Sequence, residues 1–194
     1  KYNLEIQHPL LIGNKDTPFC SGNYLFKFTF PDNYPFEPPN LKFLPNDSTM
    51  RFHPNLYSNG KVCLSIINTW NGDGWTSCNN INSILLILIS ILEKDPLTFE
   101  PGITKLHQNV DKYNILVRYK NIESNIINVY KYLSMNTSNS NSNYEKCLLL
   151  FKETILKNIS NNKSLIYKNL DDLKIVIKNR DKKNIYISTY SLNY

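Results

Sequence analysis

Apolar side chains recur at every second position from residue 23 to 30, where Tyr24, Phe26, Phe28 and Phe30 alternate with Asn23, Leu25, Lys27 and Thr29. That period is the pleat of a β-strand, and it predicts Phe26 and Phe28 facing a core. A strand-like segment at residues 4–12 precedes it and a third, shorter one at 40–44 follows, with turn residues at Gly13-Asn14-Lys15-Asp16 and Ser21-Gly22 between the first two. An antiparallel meander is the simplest arrangement of such segments. The run Pro31-Asp32-Asn33-Tyr34-Pro35-Phe36-Glu37-Pro38-Pro39 is neither helix nor central strand, because proline fixes φ and removes a backbone donor, so it reads as a rigid loop.

The period then changes. Residues 80–94 are apolar almost all round, which predicts a helix lying centrally against the sheet, with Pro96 as its stop. Beyond Gly102, Leu106, Val110, Tyr113, Val117, Ile122, Ile126, Tyr130 and Leu133 follow helical spacing with a break near Arg118. Residues 134–143 form a Ser/Asn-rich linker. Ser142 and Glu145 make a capping-box pattern ahead of a helix carrying Tyr144, Leu148, Phe151, Ile155 and Ile159, and residues 164–178 repeat such a stripe. Both stripes read as packing faces. The expected organisation is a core at 1–133, a linker at 134–143 and a helical extension at 144–194. Residues 45–80 hold little regular structure, with Asn59-Gly60, Gly72 and Gly74 as punctuation, and long irregular segments of compact domains usually carry function.

Composition narrows the classes. The chain has 194 residues, 41% hydrophobic and 20% charged, which is a globular balance. Its net charge of +6 comes from basic residues scattered among acids, a solvated surface rather than a nucleic-acid stripe. The most apolar segment, 81–92, falls well short of the roughly 20 residues that cross a bilayer, so no membrane span is expected. Cys20, Cys63, Cys78 and Cys147 are far apart and lack CxxC spacing, so reduced thiols in the cytoplasm or nucleus are expected. No zinc, phosphate-loop or dinucleotide motif occurs, and neither metal nor bound cofactor is expected. The sequence opens on Lys1 without a signal architecture and is read as starting inside a longer product.

The chemistry concentrates in Arg51-Phe52-His53-Pro54-Asn55-Leu56-Tyr57-Ser58-Asn59-Gly60-Lys61-Val62-Cys63-Leu64-Ser65-Ile66. This stretch resembles the ubiquitin-conjugating (E2) enzymes, whose motif is His-Pro-Asn, seven residues, then a catalytic Cys followed by Leu. Tyr34-Pro35-Phe36-Glu37-Pro38-Pro39 upstream and Trp75 downstream fall in the order and spacing of that family, and the resemblance covers residues 4–133. Asn59 to Ile66, the Thr69-Trp70 pair with its Gly-containing insertion, and Glu100-Pro101-Gly102 are similar to the E2 Z branch and to the conjugating domain of giant inhibitor-of-apoptosis proteins. The resemblance implies an α+β UBC-like fold, an antiparallel meander sheet packed on a central helix with C-terminal helices, the family's first helix being absent from this chain. It implies an enzyme that accepts ubiquitin or a ubiquitin-like protein from an activating enzyme as a thioester on Cys63 and passes it to a substrate lysine or a ligase cysteine. ATP is consumed by the activating enzyme.

Residue types fit those roles. A thioester stores the energy of activation yet stays open to an amine or a second thiol, which makes Cys63 the carrier and leaves Cys20, Cys78 and Cys147 as structural thiols. Asn55 has two readings, a donor to the developing oxyanion or a brace for the active-site loop. His53 and Pro54 are read as structuring that loop. Alignment puts Glu100 where an acid orients the incoming lysine, with Asp95 as runner-up. Phe36 and the segment Trp75-Thr76-Ser77 match the family's ligase-binding surface, although the proline of its Ser-Pro-Ala element is missing. A silent, ubiquitin-binding variant is the alternative function, and Cys63 argues against it.

Overall fold

The structure, a computed structural model, describes residues 6–135 and 142–178. Strands β1 (Leu10–Ile12), β2 (Asn23–Thr29) and β3 (Asn40–Leu44) form one antiparallel sheet in the order β1-β2-β3. Leu10 pairs with Leu25, and Phe26 with Phe43. β1 is shorter than the expected 4–12: before Leu10 only the bridge Gln7 to Phe28 remains. Pro9 lies between them and has no N–H to give the ladder, though its carbonyl accepts from the Phe26 N–H at 3.1 Å. Residues 1–5 of that expected strand lie outside the described residues.

Tyr24, Phe26 and Phe28 are fully buried, as the alternation requires. They share a core with Phe43, Phe52 and the inner face of helix α1 (Ile81–Ile91), which contributes Ile84, Leu88 and Ile91. Asn80 caps α1 by accepting the Ser83 N–H at 3.1 Å. Two expectations for this helix need correction. It is not buried all round, since Leu86 is 67% exposed and Ile89 41%. It also ends at Ile91 rather than at Pro96, which instead opens a short 3-10 turn, Pro96–Phe99, where its missing N–H costs nothing.

The next helix begins as α2 (Val110–Lys120), widens into π-type turns over Asn121–Asn128 and resumes as α3 (Val129–Ser134). The interruption therefore falls just after the expected position near Arg118. The widened turns bury polar groups against the edge of the sheet. Asn121 accepts from the Tyr24 hydroxyl at 2.6 Å and donates to the Cys20 carbonyl at 2.9 Å. Asn23 donates to the Asn125 carbonyl at 2.9 Å, and Asn46 to the Ser124 carbonyl. Gly22 is obligatory beside this network, because a Cβ there would lie 1.8 Å from Asn121 Oδ1.

Helices α4 (Asn143–Leu150), α5 (Lys152–Asn161) and α6 (Lys163–Lys178) follow. The Ser142/Glu145 capping box is formed, with both reciprocal bonds present. These helices do not form a separate unit. Leu148, Cys147 and Ile155 pack with Val129 and Leu133 on Leu25, on the opposite face of β2 from its aromatic residues. Asn158 of α5 donates to the Ser21 carbonyl at 3.1 Å, and Leu173 of α6 packs on Ile122 and Ile126. Most of the expected linker, residues 136–141, and the last part of the extension, 179–194, lie outside the described residues. Because Ile155 is fully buried in the shared cluster, Ile155→Ala should cost about 2–5 kcal/mol in a single transition followed by urea unfolding. An unchanged main transition, with a separate early one for the helices, would show that the extension folds independently.

Candidate active site

The irregular segment becomes ordered through a tight turn. The Gly60 N–H donates to the Tyr57 carbonyl and the Tyr57 N–H to the Lys61 carbonyl, both at 2.9 Å, while Asn59 Oδ1 accepts the Lys61 N–H at 3.0 Å. Gly60 sits at φ +88°, where L side chains are strained. Its carbonyl accepts the Phe43 N–H at 2.9 Å, so the turn hangs on β3. The chain returns past Lys61 and Val62 to Cys63.

Cys63 is tied to Asn55 in both directions. The Cys63 N–H donates to the Asn55 carbonyl at 2.9 Å, and Asn55 Nδ2 donates to the Cys63 carbonyl at 2.6 Å. Thr69 braces the backbone on either side: its hydroxyl accepts the Leu64 N–H at 2.9 Å and lies 2.8 Å from the Val62 carbonyl. Cys63 is only 2% exposed, flanked by buried Val62 and Leu64. Its backbone is held on both sides by these bonds. Cys20 and Cys147 are buried too, whereas Cys78 is exposed, and all four are unpaired.

His53 is fully buried. Its Nδ1 accepts the Asn55 N–H at 3.0 Å, and its ring lies 4.8 Å from that of Phe99. Burial, with the Arg51 cation adding in the same direction and the Ile91 backbone opposing, pushes its pKa down to about 3. Nε2 nonetheless meets no partner at hydrogen-bond geometry, so the Ile91 backbone acts only as a weak dipole. A buried imidazole with its pKa lowered and its Nδ1 occupied is a poor proton acceptor and ties the loop through Asn55. Pro54 is buried beside it and its carbonyl accepts from Arg51. Asn55 retains a second N–H on Nδ2 for a further acceptor, which leaves both of its readings compatible with this geometry.

The two acids differ in their surroundings. Asp95 accepts from Asn114 Nδ2 at 2.9 Å and so belongs to the packing of α2. Glu100 pairs with Arg51 Nη2 at 3.4 Å, which ties it to the His53-Pro54-Asn55 segment. On another part of the surface Phe36 is 80% exposed. Trp75 Nε1 donates to the Pro35 carbonyl at 2.7 Å, joining the half-buried Trp75 and the exposed Thr76 and Ser77 to the proline loop. The sequence assigns no role to Arg51 or Tyr57 and names Thr69 only within the Thr69-Trp70 pair; the adjacency of Arg51 to the motif could have pointed to the first. Among the described residues there is no cluster of three or more His, Cys, Asp or Glu able to hold a metal ion, and no helix long and apolar enough to cross a membrane.

Residues 2–120 match the family described as ubiquitin-conjugating enzyme. The chain is 40% identical over 118 residues to ubiquitin-conjugating enzyme E2 Z of Homo sapiens, covering 59% of this chain and 33% of that protein. The Xenopus tropicalis E2 Z is 39% identical over 118 residues, covering 59% and 38%. The probable ubiquitin-conjugating enzyme protein 17 of Caenorhabditis elegans is 36% identical over 166 residues, covering 79% of this chain and 22% of that protein. The chain thus spans about a third of the E2 Z proteins it matches.

The burial of His53 has a consequence for stability. It is neutral when folded but binds a proton below about pH 6.5 when unfolded. Its contribution is therefore complete above pH 6.5 and is lost as the pH falls toward 3, at up to ~1.4 kcal/mol per pH unit. Urea unfolding between pH 7 and 5 should show this slope, and His53→Asn should flatten it. His8, whose pKa is also lowered, contributes with the same sign, so His8→Asn is the control; an unchanged slope in His53→Asn would contradict the assignment.

Proposed function

The chain belongs to the ubiquitin-conjugating enzyme family, with the α+β fold of that family, and we propose that it carries ubiquitin or a ubiquitin-like protein as a thioester on Cys63. The observation that supports this most strongly is the reciprocal Asn55–Cys63 clamp within the His53-Pro54-Asn55 motif. In loading, the Cys63 thiolate attacks the thioester carbonyl on the activating enzyme, a new C–S bond forms and the activating enzyme's sulfur leaves as thiolate. In discharge, a substrate lysine amine attacks the Cys63 thioester, the C–S bond breaks, and the proton lost by the amine leaves the sulfur as a thiol. A ligase cysteine reacts by simple thiol exchange.

The chain's own groups divide the work. The free N–H of Asn55 Nδ2 stabilises the oxyanion while its partner N–H holds the Cys63 carbonyl. Glu100 orients the incoming ammonium, a task that thiol exchange does not require. His53 stays neutral and holds Asn55. Phe36 with Trp75, Thr76 and Ser77 forms the ligase contact. Activating enzyme, ligases and protein substrates are the partners, ATP is used by the activating enzyme, and the unpaired cysteines fit a cytoplasmic or nuclear setting. Because Cys63 is buried, loading begins with a local opening around it.

The test is to incubate the full-length protein with activating enzymes, ATP and ubiquitin or a ubiquitin-like modifier, with and without reductant. A reductant-sensitive adduct is expected, with Cys63→Ser giving a reductant-resistant oxyester and Cys63→Ala giving nothing. Equal loading of Cys63→Ala would refute the carrier assignment, and no adduct with any modifier would favour a ubiquitin-binding scaffold. Glu100→Ala should slow discharge to free lysine several-fold with little change in discharge to free cysteine; equal slowing of both would make Glu100 a loop-shaping residue.

A further inference from the structure

Arg51 reaches more parts of the site than any of the residues assigned above. Its guanidinium carbon stacks 4.0 Å from the Tyr57 ring centroid. Its Nη2 donates to the Pro54 carbonyl and lies 3.4 Å from Glu100 Oε2. Its own carbonyl accepts the Tyr113 hydroxyl at 2.7 Å, anchoring the backbone to α2. The side chain is 15% exposed, against 35% for Glu100. The backbone of Arg51 is thus anchored to α2 while its guanidinium rests on the Tyr57 ring.

Glu100 is tied through its backbone, where its carbonyl accepts the Ile103 N–H at 3.1 Å, while its side chain pairs with Arg51. Its backbone N–H donates to the Leu97 carbonyl at 3.0 Å, ending the short turn. Two residues later Gly102 adopts φ +80°, and a Cβ placed there would meet no atom within 4 Å. Without a partner, a carboxylate exposed to this extent would have to be ordered at each encounter with an amine, at a cost in side-chain entropy. The planar guanidinium fork, fixed over Tyr57, supplies a set point.

Resting on the reading of Glu100 as the lysine-orienting acid, we propose that Arg51 is its positioning residue, pinning the Glu100 carboxylate to the His53-Pro54-Asn55 loop so that it meets the incoming amine. The guanidinium and the carboxylate lie 3.4 Å apart, an ion pair that gives the carboxylate a preferred position beside the loop. Arginine is needed because one group must serve a carbonyl, a carboxylate and an aromatic face together; a lysine ammonium offers a point charge without the planar fork.

The experiment is a double-mutant cycle on the full-length protein with Arg51→Gln, Glu100→Gln and both changes, reading single-turnover discharge from preloaded enzyme to free lysine and to free cysteine. Arg51→Gln should slow lysine discharge several-fold more than cysteine discharge, and should add nothing once Glu100→Gln is present. Arg51→Lys runs in parallel, in case the uncharged variant fails to fold, and should show a smaller loss with the same non-additivity. Equal slowing of the two nucleophiles, or an undiminished Arg51 effect in the Glu100→Gln background, would overturn the positioning role alone. Unchanged lysine discharge in Glu100→Gln itself would remove the reading of Glu100, and the role of Arg51 with it.

Discussion

Two hydrogen bonds between Asn55 and Cys63, one from backbone to backbone and one from side-chain amide to carbonyl, hold together a loop region that the sheet touches only along β3. A loop crowded with buried groups has to satisfy its peptide polar atoms locally. Here Asn55 does so for Cys63 on one side, while the Thr69 hydroxyl serves Leu64 and Val62 on the other. Cys63 is thus pinned through its backbone and buried, flanked by buried Val62 and Leu64.

Electrostatics in the site follow from the same compactness. His53 is shut away beside a cation, and both influences disfavour its charged form. Its value to the site lies in a lone pair at Nδ1 that accepts the Asn55 N–H, a role that protonation would destroy. The Arg51 charge that helps keep His53 neutral also meets Glu100. A single cation therefore adds to the burial that keeps His53 uncharged and pairs with the acid.

Much of this was legible in sequence because local periods decide it. The alternation around Phe26 and Phe28 located β2 and its core face, and Ser142 with Glu145 announced the start of α4. What escaped depended on distant partners. Leu86 and Ile89 share a helix with Ile84 and Leu88 and have the same apolar character, yet they are exposed because nothing among the described residues packs over them. Asn23, Asn121 and Asn125 carry no signal in the sequence, but they are buried and join β2 to the widened helix through partners about a hundred positions away. The shortening of β1 was written in Pro9, whereas the covering of Leu25 was not, since a strand with a second apolar position on its outer face does not say what will cover it. Arg51 escaped because its partners, Tyr57, Glu100 and Tyr113, come from three separate segments.

The covering of Leu25 ties the far end of the chain to the chemistry. β2 buries aromatic rings on one face and Leu25 on the other, so α1 and helices α3 to α5 press on the same strand from opposite sides. β2 pairs with β3 through Phe26 and Phe43, and the Phe43 N–H in turn holds the Gly60 carbonyl of the turn that leads to Cys63. A strand clamped on both faces has a strongly specified register, because a shift of one residue would turn Leu25 inward and the aromatic rings outward. Register in β2 sets register in β3, and β3 sets where the turn hangs. The packing of the C-terminal helices on Leu25 is thereby connected, through two hydrogen-bonded strands, to the turn that leads to Cys63.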